Sequence, residues 1–209
     1  MYVKFRNHSV VKLISNYCNS NNITLTISDK CDGNHYETVS RQMYIELDES
    51  KSLSYRLFII SHEYGHAYQA VNNMNNYAGS DDEEVYEKML NGDRVDFRSK
   101  RKIIRCLLRN EFDATQIGLA LLKDNKSYPP ENTLRMIKRK ANIQLLYHYL
   151  TLSYGYDIRP EDNFASIIEL PNKFIVPFSV EFNAIIKVVK PMVHERHHSR
   201  TPIKLRDYN

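Results

Sequence analysis

Two imidazoles and a carboxylate stand close together in the chain, His62, Glu63 and His66, in the order H-E-x-x-H within FIISHEYGHA. On a helix, residues four apart lie one turn above each other on the same face, so both rings can reach one Zn²⁺ at roughly 2.0–2.1 Å. Glu63 is rotated from His62 by about one hundred degrees and flanks a water held by the metal. Zinc lowers the pKa of such a water towards neutrality, and the carboxylate accepts its proton during attack on a carbonyl. The chemistry expected of this trio is hydrolysis with Glu63 as the base. The plainer alternative is two surface histidines on an amphipathic helix, but the mostly apolar run at 57–61 implies a buried one. Gly65 costs helix stability relative to alanine, so a close approach of backbone or ligand is expected there.

A catalytic zinc site needs a third protein ligand and an open position. Glu111, in the segment NEFDA, supplies it best. On a helix expected over 99–123 it shares a face with Leu107, Ala114, Thr115 and Gly118, small enough towards its end to let another helix pack closely. A carboxylate on such a face needs a partner, and a metal is a good one. The alternatives are a salt bridge to Arg105, Arg109 or a lysine, and Asp113 as ligand, although its side chain points away by roughly two hundred degrees. A donor for the developing oxyanion is sought near His148 and the tyrosines at 147, 149 and 154, a cluster that serves equally well as core.

The elements that must hold these residues follow from periodicity. Val10, Leu13, Ile14 and Tyr17 predict a first helix behind Ser9 as N-cap. Alternation predicts strands over 23–27 and 38–47, joined by the turn-rich segment 28–35. The H-E-x-x-H helix is expected over 51–71, a capped acidic helix over 80–90 and a further helix over 131–149. Loop-like sequence covers 157–163, and prolines at 171 and 177 leave 164–189 undecided between helix and strand. Residues 190–209, with His194, His197 and His198, have the polar composition of a tail. The fold class expected is α+β. Its domains are a core over 1–125, an extension over 126–190 packed on that core, and a basic His- and Arg-rich tail over 191–209.

HEYGHAYQ followed by NEFDATQIGLALL resembles the Glu-ligand zincins (gluzincins), closest in motif to the ImmA/IrrE-type and the bacterial neutral zinc metallopeptidases. The resemblance covers about residues 50–122. It implies a minimal zincin core (helix, small sheet, H-E-x-x-H helix, Glu-ligand helix) with a mostly helical C-terminal part. It also implies zinc held by His62, His66 and Glu111, with Glu63 as the base. Where the family places Asp or Asn four residues after its glutamate, to orient a zinc histidine, this chain has Thr115.

The 209 residues, 42% apolar and 26% charged, suit a folded domain with an appendage rather than a disordered chain. Cys18, Cys31 and Cys106 are odd in number and widely spaced, with no C-x-x-C, a pattern that suggests neither a disulfide framework nor a cysteine-based zinc cluster. No secretory signal or membrane-length apolar run is present, so the expected address is the cytoplasm, that of a host if the protein is viral. The function expected is that of a zinc endopeptidase acting on a specific intracellular protein. The resemblance to ImmA/IrrE-type peptidases suggests a transcriptional regulator as substrate, and the Asn- and Tyr-rich composition suits a bacteriophage protein. Two alternatives stand beside it. The net charge of +4 and the basic runs at 98–105, 135–140 and the C-terminal end suit a nucleic-acid partner on a zincin scaffold. An inactive zincin-fold binding module would not need Glu63.

Overall fold

The computed structural model of the protein describes residues 2–31, 33–74, 80–91, 93–154 and 170–197. The chain folds into two compact units, one of Met1–Asn75 with Asp113–Ile137, the other of Asn76–Phe112 with Lys138–Asn209.

The first unit opens with a short helix α1 (Tyr2–Arg6) and α2 (Ser9–Ser20). The apolar side of α2 buries Val10, Val11, Ile14 and Cys18. His8, not Ser9, is the N-cap of α2, and its Nδ1 accepts the Val10 N–H at 3.3 Å. A left-handed Asn22 (φ 55°) turns the chain into β1 (Thr24–Ser28), a conformation that a short polar side chain tolerates better than most. Strands β2 (His35–Glu37) and β3 (Gln42–Glu46) complete a three-stranded sheet in the order β1-β3-β2, with β1 parallel and β2 antiparallel to β3.

The strands differ from expectation in two respects. Residues 38–41 form a turn, with Val39 left 86% exposed, so its place in the alternating pattern was no sign of a buried face. Strand β2 starts at His35, the last residue of the segment expected to be turn-rich, and ends before the expected second strand; its three residues are too few to show a period and are fixed by pairing with β3. The sheet packs beneath α3 (Leu53–Val71), which contacts β2 and β3. Ser52 caps α3, its Oγ accepting the Tyr55 N–H at 3.2 Å, as a serine at this position commonly does.

The second unit contains α4 (Ser80–Leu90), the first part of α5 (Phe97–Asp124), most of α6 (Glu131–Tyr154) and α7 (Val180–His197). Asp96 starts α5, its carboxylate accepting the N–H groups of Arg98 and Ser99. The core of this unit includes Ile103, Leu108, Leu146, Leu150, Phe182 and Val189. Fully buried Asn142 replaces missing secondary structure at 171–175, donating to the Lys173 carbonyl and accepting the Ile175 N–H, both at 2.9 Å. Backbone groups left without a ladder are satisfied in this way by a side chain. Of the undecided segment 164–189, residues 170–179 are irregular and those from Val180 onward form α7, which continues through Pro191 into residues expected to be tail, while 164–169 lie outside the described residues. The loop expected at 157–163 and the last twelve residues lie outside the described residues, as do the cap side chains of α4. The architecture is α+β, and among the described residues no helix is long and apolar enough to cross a membrane.

Candidate metal centre

The site begins with a contact between backbones. A Cβ on Gly65 of α3 would fall 2.3 Å from the Ala114 carbonyl oxygen of α5, and one on Gly118 would fall 2.5 Å from the Ser61 carbonyl oxygen. Numbers rise on one helix as they fall on the other, so the two run antiparallel. The closeness comes from small residues four apart on each helix, Ser61 and Gly65 against Ala114 and Gly118. His62 and His66 are the next residues along α3 from that contact line, and Thr115 is the next along α5. Close packing and the orientation of the polar groups therefore share one register.

His62 is buried and His66 half-buried. Their rings stand edge to face, 4.8 Å between centroids and 86° between planes, with the two Nε2 atoms 3.2 Å apart. Two ligand atoms on a tetrahedral ion with zinc–nitrogen bonds would be separated by ~3.3 Å. Two ring nitrogens this close need either a shared proton or a cation between their lone pairs. Thr115 Oγ1 lies 3.1 Å from His62 Nδ1. With Nδ1–H donating to that oxygen, the His62 Nε2 lone pair is turned towards His66.

Glu111 completes the group, its carboxylate and the two imidazoles offering atoms within 4.8 Å of one another. Its position follows from the continuity of α5, since it lies one turn before Thr115 on the helix that touches α3. Among the described residues, these three are the group able to hold a metal ion, and Asp113 is outside it. Glu63 is buried on α3 and is not a member of the group. His148 is half-buried on α6 with its ring 5.4 Å from that of Tyr147, and it too is outside the group.

One neighbour of the glutamate went unnoticed in the sequence. Burial, and then the negative charge of Glu111, push the Tyr86 phenol of α4 above its ordinary range. Tyr86 lies twenty-five residues away in a helix whose sequence suggests only acidity, and no spacing rule connects the two. The basic stretch at 98–105 is partly engaged within the protein. Lys100 donates to the Ser153 carbonyl at 2.8 Å, Lys102 pairs with Asp82 at 2.7 Å, and Arg105 lies over the Phe178 ring at 5.4 Å.

Compared with protein-family models, with curated proteins and with solved structures, the chain matches none.

Proposed function

We propose that the protein is a zinc-dependent endopeptidase of the gluzincin kind, acting on a specific intracellular protein. The observation that carries this is the convergence of the His62 and His66 Nε2 atoms with the Glu111 carboxylate, while Thr115 holds the far side of the His62 ring. Two imidazoles and one carboxylate are a donor set suited to catalytic zinc, and the spacing of the ring nitrogens matches a tetrahedral edge. When bound, zinc would supply Lewis acidity to a peptide carbonyl and to water. The order of α2, the small sheet, α3 and α5 agrees with a minimal zincin core.

In this reading His62, His66 and Glu111 bind the ion, and Thr115 fixes the ring of His62. Glu63 takes a proton from the attacking water and passes it to the leaving amine, a transfer worth on the order of 10² to 10⁴ in rate. Its burial beside the site limits competing hydration of the carboxylate. The nucleic-acid alternative draws little support from 98–105, given the internal engagements of Lys100, Lys102 and Arg105.

The test is to incubate the zinc-loaded protein with a cell lysate and label new N-termini. Cleavage that disappears with Glu63→Gln, while that variant keeps its metal, supports the proposal. Identical N-termini from wild type and variant exclude it.

A further inference from the structure

Arg56 lies near the start of α3 with 3% of its surface exposed, and its Nε and both Nη atoms are buried without a hydrogen-bond partner among the described residues. A guanidinium carries five N–H donors and does not give up its charge in a protein, so loss of a proton cannot relieve the burial. The Phe5 ring of α1 lies 5.6 Å from the guanidinium carbon. A ring face attracts the cation but does not accept hydrogen bonds from a fork of N–H groups. The acids that precede the helix do not serve it either. Asp48 accepts from the Ser50 hydroxyl at 2.6 Å and pairs with Lys51 at 3.3 Å, and Glu49 is exposed. Long helical side chains lean towards the N-terminus of their helix, which sets the guanidinium beside the Ser52 cap and the positive end of the α3 dipole. Both features favour an anion at the same place.

The kind of anion follows from charge and shape. Arg56 is a single cation against an apolar ring, a match for one negative charge, and its N–H fork fits two coplanar oxygens. We infer that Arg56 anchors an internal binding site for a small monoanionic carboxylate, held by the guanidinium fork between α1 and α3. Because the three nitrogens are buried, the anion enters when α1, the five-residue helix that carries Phe5, moves aside. Arg56 precedes His62 by nearly two turns of α3 and is outside the group able to hold a metal, so the site stands whether or not the protein is a peptidase.

NMR of the full-length protein carrying nitrogen-labelled arginine tests the inference, the Arg56 Nε–H signal being the one missing from Arg56→Met. Formate and acetate are titrated beside chloride and phosphate at constant ionic strength. The two carboxylates are expected to move that signal saturably, with half the shift reached below ~10 mM, while chloride and phosphate leave it in place. Urea denaturation gives a second reading. In chloride, Arg56→Met should be at least as stable as the wild type, since it removes an unpaired buried charge. Acetate should raise the wild-type midpoint and leave that of the variant unchanged. No saturable shift with either carboxylate up to ~100 mM, or an equal response to chloride or phosphate, would overturn the inference. An Arg56→Met variant that is less stable than the wild type in chloride, or fails to fold, would do the same, showing a guanidinium already paired within the fold.

Discussion

Thr115 Oγ1 lies 3.1 Å from Nδ1 of His62, on the side of the ring away from His66. A hydroxyl there can fix the tautomer and ring angle of the histidine without adding a charge. Thr115→Val keeps the shape and removes the hydrogen bond. Zinc affinity, measured by competition with a chelating dye, should fall ~10- to 100-fold, and Thr115→Ser should recover most of the loss. Equal affinities for the wild type and Thr115→Val would show that the contact does not orient a ligand.

Gly65 and Gly118 have no room for a methyl group. The atoms in the way belong to the backbones of Ala114 and Ser61, which cannot step aside as a flexible side chain would. Gly65→Ala and Gly118→Ala should each destabilise the protein by roughly 1–3 kcal/mol in urea denaturation, despite the gain in helix propensity. The same separation of α3 from α5 that relieves the clash would also pull Thr115 from His62. Either variant with wild-type stability would place the helices further apart than described.

Alkaline pH should weaken the fold through α2. Burial pushes the Cys18 thiol from 9.0 up to about 11. Burial, followed by the neighbouring Tyr64 and Tyr68, pushes the Tyr17 phenol from 10.0 up to about 12. Both groups are neutral when protonated, so the folded state holds these protons more tightly than the unfolded one. Their contribution is therefore complete below about pH 9 and is lost as pH rises through about 11 to 12. The urea midpoint is expected to be level between about pH 7 and 8.5 and to fall steadily above about pH 9, with a shallower fall in Cys18→Ala. A midpoint unchanged up to about pH 11 would contradict this account.

The candidate site was legible in the sequence because helical geometry is local. Four-residue spacing put His62 over His66 and Glu111 under Thr115, and Gly65 and Gly118 signalled close approach, all without knowledge of the sheet. What lay beyond reach depends on contacts between distant segments. Three residues with a single half-buried side chain, Tyr36, carry no strand period, so β2 follows only from its pairing with β3. Val39 alternated correctly with its neighbours yet sits on a turn, because the left-handed Arg41 (φ 51°) starts β3 later than the pattern suggests. His8 took the cap from Ser9 because an imidazole nitrogen can accept a backbone N–H as a hydroxyl does. The prolines of 164–189 obscured α7, and the link from Asn142 to 171–175 spans about thirty residues with no sequence mark. Tyr86 was missed for the same reason.

The central claim is that His62, His66 and Glu111 hold one zinc ion. The most direct measurement is the metal content of purified protein by elemental mass spectrometry, wild type beside Glu111→Ala, Asp113→Ala and Glu63→Gln, each checked for folding by circular dichroism. The account predicts one zinc per chain in the wild type, in Asp113→Ala and in Glu63→Gln, and its loss from Glu111→Ala. A wild type that binds no zinc when supplied with it, or a Glu111→Ala variant that keeps it with unchanged affinity, would contradict the account.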